Sequence, residues 1–323
     1  MSFCWTGPVP ARQCARVFFF LALLACWIGG APSWAAALAP LAAARGTAPA
    51  RLGSLPPARK YQVSAAVPRR ARALPLPRIY GDDPTRPLVV IDAGHGGFDP
   101  GAISQDDGLQ EKDVTLRIAR AIRDELVKSG RVRVALTRED DRFLVLQERY
   151  GLARRMKAQL FISIHCDSVG AGDASGATAY TLSEVASDKQ AARLAARENK
   201  ADIINGIDLS GDNADVSPIL IDLAQRETMN ASAAFARLLG REAAPLMPVK
   251  ANFHRMASLM VLKAPDMPSI LFETGYISNP KDAAFLDSRE GRRKIAQSVR
   301  RAVEVHFARR LALSDGPRRT GAN

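Results

Sequence analysis

The sequence predicts an α/β fold, a single three-layer domain in which a mostly parallel, twisted sheet is flanked by helices and interrupted by a helical insert. Short apolar runs alternate with amphipathic helical stretches, and this order builds βαβ units. Hydrophobic residues make up 47% of the 323 residues and charged residues 24%, which is typical of a globular protein. Polar residues directly follow several apolar runs, at the strand ends where open α/β sheets carry their sites.

The first strand is predicted at Leu88–Ile91, an apolar run of the kind that fills a buried central strand. Glycines on both sides of His95 let the chain turn sharply where this strand ends. A helix is predicted to begin at Glu111 and to end at Gly130, because apolar residues recur every four positions between them. These apolar residues are Val114, Ile118, Ile122 and Leu126.

The alternation continues to the end of the predicted domain, which spans residues 88–311. Further strands are expected at Arg133–Thr137, Leu160–Ile164, Thr178–Leu182, Leu259–Leu262 and Ser269–Phe272, and helices at Leu144–Lys157 and Gly291–Leu311. A polar and helical insert from about Ser187 to Pro245 is longer than a crossover between two strands requires. Residues 312–323 are expected to form a disordered tail.

Residues 1–36 have the pattern of a Sec-type signal peptide. Arg12 and Arg16 precede the apolar run Val17–Ile28, and Ser33-Trp34-Ala35 offers a small-x-small cleavage site. The apolar run is too short for a comfortable membrane span. A lipobox that ends at Cys26 is the less favoured alternative to this cleavage site, because leucine is unusual at the lipobox position that Leu24 would occupy. We therefore expect an exported, periplasmic protein with no stable membrane span after cleavage.

Residues 37–87 form a basic segment rich in Pro, Ala and Arg, without a helical or strand period, and we expect a disordered linker. The chain has a formal charge of +12, which favours an anionic partner. The linker is interpreted either as an electrostatic attachment to an anionic surface or as a solvated tether. The sequence contains no nucleic-acid-binding motif and no pattern of aromatic residues suited to base stacking, so the charge alone does not indicate nucleic-acid binding. After cleavage Cys166 alone remains, so an internal disulfide is excluded.

Four polar residues are expected to converge at one edge of the sheet: His95 and His165 after two strands, Glu111 at the start of a helix, and Glu273 after a third strand. Two imidazoles and a carboxylate are the ligands of a catalytic zinc with an open fourth position. A second carboxylate could move the proton from water to a leaving nitrogen, which would make the protein an amide hydrolase.

Each of these residues also has an ordinary structural interpretation. His165 could be a core histidine, Glu111 a helix-start carboxylate favoured by the helix dipole, and Glu273 a surface group at a strand end. Each of these interpretations is reasonable for one residue taken alone. A shared site explains all of these residues better than a separate structural role for each of them.

The motifs VVIDAGHGGFDPGA, LTREDDRFLVLQERYGLAR, FISIHCDS and PSILFETGYISN, together with Glu111, resemble the zinc-dependent N-acetylmuramoyl-L-alanine amidases that separate bacterial daughter cells. This resemblance covers the whole predicted domain. It implies zinc on His95, Glu111 and His165, with Glu273 as general base and acid, and peptidoglycan as substrate. Cys166 departs from the usual residue after the second histidine. It is expected to point into the core, because adjacent strand residues face opposite sides.

The insert resembles a regulatory segment that keeps some family members inactive by placing an acidic side chain on the metal. Here the matching stretch is LAARENKADIINGIDLSGD, and Glu198 is the candidate autoinhibitory residue, with Leu194, Ile203 and Ile204 as anchors. The alternative is a substrate-groove wall with a solvated Glu198. If Glu198 does block the site, the resemblance implies a LytM-domain activator. The enzyme itself is expected to be a monomer.

Two other functions remain as alternatives at this point. One is an inactive or regulated peptidoglycan-binding protein on the same fold, although the presence of Glu273 argues against a degenerate site. The other is a zinc peptidase that acts on the stem peptide, for which no H-x-x-E or H-E-x-x-H pattern is present.

Overall fold

The computed structural model describes residues 74–168, 174–201 and 218–314. The predicted signal peptide, residues 37–73 of the predicted linker, residues 315–323 of the predicted tail, and the proposed anchors Ile203 and Ile204 lie outside these residues. Residues 74–87 of the predicted disordered linker are described and include a short strand. Seven strands form one sheet in the order β1-β3-β2-β4-β7-β5-β6. The strands are β1 (Ile79–Tyr80), β2 (Leu88–Ala93), β3 (Arg133–Leu136), β4 (Leu160–Asp167), β5 (Ala177–Leu182), β6 (Val249–Ala257) and β7 (Ser269–Tyr276). The helices are α1 (Glu111–Ser129), α2 (Leu146–Arg155), α3 (Lys189–Glu198), α4 (Pro218–Ala243), α5 (Pro280–Asp287) and α6 (Arg289–Ser314).

The sheet is mostly parallel, as the sequence predicts. The pairs β3–β2, β2–β4, β4–β7 and β5–β6 are parallel, whereas β1–β3 and β5–β7 are antiparallel. The central strands β2, β4 and β7 are buried along their whole length, which explains their apolar sequences. Their carboxyl ends lie at one edge of the sheet, so the polar residues that follow them are brought together.

Apolar side chains pack on both faces of the sheet, and this gives the three layers. On one face, α1, α4 and α6 cover residues such as Ile162 and Phe272, while α2 and α3 cover Phe161 and Leu271 on the other face. The predicted apolar positions of α1 are all fully buried. Burial of a side chain of this size contributes about 1.5–3 kcal/mol, so these positions explain why α1 docks as it does.

Two predictions from the sequence are wrong. The apolar run Leu259–Leu262 is not a strand: Met260–Leu262 forms a single 3-10 turn that buries Val261 and Leu262. The strand lies just before it, at β6, whose middle residues are exposed or half-buried and therefore show no apolar run. The insert is also not wholly an addition to the fold, because the second half of α4 buries Phe235 and Leu239 in the core.

No helix within the described residues is long and apolar enough to cross a membrane.

Candidate metal centre

His95 lies in the turn after β2 and is held there by its neighbours. Its backbone is left-handed, with φ at 59°, a conformation that costs a non-glycine residue about 1–2 kcal/mol. Buried guanidinium groups hold the turn: Arg149 Nη2 donates to the His95 carbonyl at 2.9 Å, and Arg138 Nη2 donates to the Gly94 carbonyl at 2.8 Å. Asp99 Oδ2 lies 2.8 Å from His95 Nδ1. This contact leaves His95 Nε2 free to face the site.

Glu111 and His165 lie next to this nitrogen. Glu111 is the first residue of α1, and its Oε2 lies 3.2 Å from His95 Nε2 while its Oε1 lies 3.2 Å from His165 Nδ1. Backbone amides of Ala102 and Cys166 donate to this carboxylate at 2.9 and 2.8 Å. The two imidazole rings stand edge to face, with centroids 4.9 Å apart. The structure therefore brings together the three residues that the sequence analysis grouped as ligands.

Glu273 is the fourth member of this group. It lies on β7 directly beside His165 on β4, and it is fully buried, so the interpretation as a surface group at a strand end is wrong. Neither carboxylate oxygen has a hydrogen-bond partner among the described residues. Burial, followed by repulsion from Asp167 and Glu111, raises the pKa of Glu273 well above its ordinary value.

Glu198 also reaches the site, from the last residue of α3. Its Oε2 lies 3.2 Å from His165 Nδ1 and 3.5 Å from His95 Nε2, and the residue is 6% exposed. Glu198 is therefore buried in the site, and the alternative of a solvated side chain is wrong. The nearest donor atoms of His95, His165 and Glu198 all lie within 4.8 Å of one another, a grouping able to hold a metal ion.

Negative charge dominates the electrostatics of this site. Burial opposes a charge on His95 and His165, yet the surrounding carboxylates, Glu111 and Glu198 among them, raise the pKa of each to about 10. Burial also opposes ionisation of Glu111, but the two histidines hold its pKa well below the ordinary value. Burial raises the pKa of Asp167 to about 6 despite the opposing charge of Arg197. The site thus favours added positive charge.

The local packing leaves room for the two imidazoles only because glycine occupies two nearby positions. A Cβ atom on Gly94 would lie 2.5 Å from Cε1 of His165, and one on Gly101 would lie 2.6 Å from Cδ2 of His95. His95 Nε2 is buried and has no hydrogen-bond partner of acceptable geometry among the described residues. An unpartnered imidazole nitrogen beside a second imidazole and carboxylates is a donor set that fits zinc.

Comparisons with known proteins identify the family of the chain. Residues 89–305 match the family model described as N-acetylmuramoyl-L-alanine amidase. The chain belongs to this amidase family. It is 38% identical to the amidase AmiC of Neisseria meningitidis over 70% of this chain and 54% of that protein. It is 36% identical to AmiC of Escherichia coli over 74% of this chain and 57% of that protein. The chain thus spans little more than half the length of these relatives.

Solved structures share the fold of this amidase domain. The amidase Ami1 of Mycobacterium smegmatis matches with a TM-score of 0.51 and 22% identity over 69% of this chain and 97% of that chain. The catalytic domain of CwlV from Bacillus (Paenibacillus) polymyxa matches with a TM-score of 0.50 and 24% identity over 69% of this chain and 98% of that chain. At this level of identity the likeness establishes the fold alone.

Several residues that support the candidate site were not predicted from the sequence. Asp99 orients His95, and its place in the glycine-rich motif GHGGFDPG was the available signal. Arg149 and Asp92 form a buried ion pair with a 3.1 Å contact. Arg149 is one of three arginines in α2, and nothing in the sequence distinguished it from the other two. Cys166 does point into the core, where its Sγ lies 3.4 Å from Thr274 Oγ1.

Proposed function

We propose that the chain hydrolyses the amide bond between N-acetylmuramic acid and the L-alanine of the stem peptide in peptidoglycan. The observation that carries this proposal is the convergence of two buried imidazoles, Glu111, and the unpartnered carboxylate of Glu273 at one sheet edge. Membership of the amidase family supports hydrolysis of this type of amide bond. The biological setting that we propose is daughter-cell separation and cell-wall remodelling in the periplasm.

The residues proposed to hold zinc are His95, Glu111 and His165. Support for this comes from the carboxylate of Glu111, whose Oε2 lies 3.2 Å from His95 Nε2 and whose Oε1 lies 3.2 Å from His165 Nδ1. Zinc held there would polarise the scissile carbonyl and make a water molecule more acidic. Asp99 fixes the ring of His95, and the amides of Ala102 and Cys166 fix the carboxylate of Glu111. Such outer hydrogen bonds orient ligands before the metal binds.

Glu273 is the proposed general base and acid. Its carboxylate would take the proton from the attacking water and return it to the leaving amine nitrogen. Burial and neighbouring carboxylates raise its pKa, which suits a group that must both accept and release a proton. Glu111 accepts hydrogen bonds from two backbone amides, whereas Glu273 has no hydrogen-bond donor among the described residues. These different environments suit different roles, with Glu111 as a metal ligand and Glu273 as the proton carrier.

Product analysis of digested peptidoglycan tests this function. An amidase releases glycan strands with free lactyl groups and stem peptides with a free L-alanine amino terminus. A zinc peptidase would shorten the stem peptides and leave the lactyl amide intact, while a binding protein would release neither product. Shortened peptides or unchanged peptidoglycan, measured with zinc present and the site accessible, would contradict the proposal.

We also propose that Glu198 and α3 restrain the enzyme. The carboxylate of Glu198 lies against both imidazoles, where it would compete with water and substrate for the open metal position. Asp188 caps the start of α3 through the amides of Gln190 and Ala191. At the other end, Asn199 Nδ2 donates to the Ser258 carbonyl at 2.8 Å. Arg255 also pairs with Asp188, and Leu194 is buried, so a partner that displaces α3 would have to replace these contacts.

The proposed partners follow from this restraint. Peptidoglycan is the substrate, and a LytM-domain protein is the proposed activator that removes α3 from the site. The proposal includes export by a signal peptide, no stable membrane span after cleavage, and a monomeric enzyme. Measurement of hydrolysis by the purified chain with and without a LytM-domain protein tests the activator: equal rates in both cases would contradict it.

A further inference from the structure

A buried arginine on the edge strand β6 holds a carboxylate of the α3 segment. Arg255 Nε donates to Asp188 Oδ2 at 3.0 Å, and its Nη2 pairs with the other oxygen of the same carboxylate. Its third nitrogen, Nη1, donates to Gln190 Oε1 at 2.9 Å and to Tyr180 Oη at 3.3 Å. The side chain of Arg255 is only 8% exposed. One carboxylate, one amide oxygen and one phenol oxygen therefore surround its guanidinium group.

Two of these three acceptors leave if α3 leaves. Asp188 is the N-cap of α3 and Gln190 lies in its first turn, whereas Tyr180 belongs to β5 and stays in place. A largely buried charge is costly unless a hydrogen-bonded group of opposite charge accompanies it. The planar guanidinium group matches both oxygens of a carboxylate at once. Displacement of α3 therefore opens a position at Arg255 that is suited to another carboxylate.

The two ends of α3 relate this position to the proposed metal position. Asp188 precedes the first residue of α3, and Glu198 is its last residue and contacts His95 and His165. Ten residues of a helix extend about 15 Å. An extended peptide covers that distance in about four or five residues. The distance suits a short peptide whose amino end lies at the metal position and whose carboxyl end lies at Arg255.

The surroundings of this position favour an anion. The hydrogen bond from Arg255 lowers the pKa of Asp188 to about 2, so the position stabilises an ionised carboxylate. Lys250 is a second cation on β6, and its Nζ donates to Tyr276 Oη at 2.6 Å. Gln190 Nε2 donates to the same oxygen at 3.1 Å, so departure of α3 also uncovers this pair. Burial, followed by the charge of Arg255, lowers the pKa of Lys250, which indicates that the two cations are close.

We propose that Arg255 binds the C-terminal carboxylate of the stem peptide when α3 is displaced, and that Asp188 occupies this position when α3 is in place. The two acidic residues at the ends of α3 then cover both ends of the substrate site. Glu198 covers the metal position and Asp188 covers the carboxylate position. The inference rests on the proposed function and on the proposed displacement of α3.

The test compares two soluble disaccharide-peptide fragments with the same four-residue stem peptide, one with a free C-terminal carboxylate and one with a C-terminal amide. The full chain with Glu198→Ala is the parent. We expect its KM to be about tenfold lower for the free acid, the smaller of the factors expected for a hydrogen bond to a charged group. Arg255→Met should abolish this preference by raising the KM for the acid alone.

Asp188→Asn should have the opposite effect. Asparagine caps a helix as well as aspartate does, but it carries no charge to compete for Arg255. The preference for the acid should therefore increase toward about a hundredfold. Loosening of α3 by itself changes the KM for acid and amide alike, so the ratio of the two KM values reports on the carboxylate position alone.

Arg154→Met is the matched control. Arg154 holds the carboxylate of Asp266 by two contacts of 2.7 and 3.0 Å on an exposed surface, and its loss should leave the preference unchanged. Calorimetric titration with the free stem peptide measures the same position without catalysis. The peptide should bind about tenfold more weakly to Arg255→Met than to the parent, and equally well to Arg154→Met.

Equal KM values for acid and amide in the parent, or an unchanged preference in Arg255→Met, would overturn the inference and leave the proposed function intact. If Arg255→Met does not fold, Asp188→Asn decides, because an unchanged preference in that variant would also contradict the inference. Binding of the peptide that depends on Arg255, without cleavage of either zinc-loaded fragment mixture, would instead overturn the proposed function and support the peptide site. Absence of both binding and cleavage would overturn both proposals.

Discussion

At the residue scale, the turn that carries His95 depends on a buried ion pair rather than on apolar packing. Asp92 accepts hydrogen bonds from Thr137 at 2.6 Å and Ser163 at 2.7 Å, in addition to its contact with Arg149. A buried pair of this kind gives little net stability, because desolvation offsets most of the attraction. The planar guanidinium of Arg149 nevertheless holds two backbone carbonyls in fixed positions, which the single ammonium group of a lysine could not do. We therefore attribute the pair to site geometry.

Replacement of Glu273 by Gln keeps the shape of the side chain but prevents it from accepting a proton. We expect zinc content and melting temperature close to those of the parent, and turnover lower by about two to four orders of magnitude, the usual contribution of a general acid–base. Hydrolysis rates on soluble peptidoglycan fragments measure the effect. Near-normal turnover would show that some other group moves the proton.

Two glycines with similar backbones separate the effect of the site from the effect of strain. Gly101 and Gly108 have φ values of 67° and 70°. A Cβ on Gly101 would lie within 2.8 Å of atoms of His95 and Glu111, whereas a Cβ on Gly108 meets no atom within 4 Å. Both alanine variants carry a similar backbone cost of about 1–2 kcal/mol.

Gly101→Ala should therefore lose zinc affinity and activity, while Gly108→Ala should lose only stability. Zinc titration and urea unfolding of the two variants measure these effects separately. Equal zinc affinity in both would mean that the close packing around Gly101 does not shape the site.

At the element scale, α3 is the element that we propose restricts access to the site. Ala191 and Leu194 bury its inner face, and Arg197 Nη1 donates to the Ser168 carbonyl at 2.8 Å. Arg197 also forms an ion pair with Asp167. The position of α3 over the site is therefore held both by these apolar residues and by the polar contacts of Arg197 beside Glu198.

Removal of the Glu198 carboxylate should release the restraint. We expect Glu198→Ala to raise basal hydrolysis by about tenfold or more, which corresponds to at least about 1.4 kcal/mol of preference for the closed state. Glu184→Ala, the same change at an exposed position before α3, is the matched control and should have no effect. If both variants hydrolyse peptidoglycan at the parental rate, the insert forms a groove wall and does not inhibit.

His306 on α6 gives an acid-sensitive contribution to stability. Its ring packs edge to face on Phe235 and Phe307, and burial together with the charge of Arg310 lowers its pKa to about 4. The unfolded value is about 6.5, so the contribution is complete above pH 6.5 and is lost as the pH falls to 4. The loss amounts to about 3 kcal/mol at most.

Comparison of the parent with His306→Phe isolates this residue from the histidines of the site. Urea unfolding of both metal-free proteins between pH 7.5 and pH 4 should show a difference in unfolding free energy that shifts in favour of the Phe variant as the pH falls. A difference that stays constant over this range would contradict a lowered pKa for His306.

The sequence predicts some elements of this fold much better than others, and burial explains why. The strands β2, β4 and β7 are buried on both faces, so their apolar runs identify them directly. The strand β6 is at the sheet edge and half-exposed, and its sequence VKANFHRMA gives no such signal. The same rule applies to the site, since strand-end residues such as His165 were predicted while Arg149, within a helix, was not.

At the scale of the whole molecule, the candidate site requires the three central strands of the sheet to be paired. His95, Glu111, His165 and Glu273 come from four elements spread along most of the domain. They approach one another only when β2, β4 and β7 are paired. The unfolded chain therefore has no preformed site, and any metal that binds here binds the folded state. Affinity for the metal is then linked to folding as a whole.

Zinc should therefore stabilise the entire domain. At a free zinc concentration one hundred times the dissociation constant, the gain is about 2.7 kcal/mol, which raises the melting temperature by roughly 5–10 °C for a domain of this size. Relief of the repulsion among the buried carboxylates acts in the same direction. Thermal unfolding with zinc and with a chelator measures the shift. Glu273→Gln should retain it, because that residue is not a proposed ligand, and His165→Ala should lose most of it. An equal shift in His165→Ala would mean that zinc stabilises the protein from another place, and the ligand assignment would then be wrong.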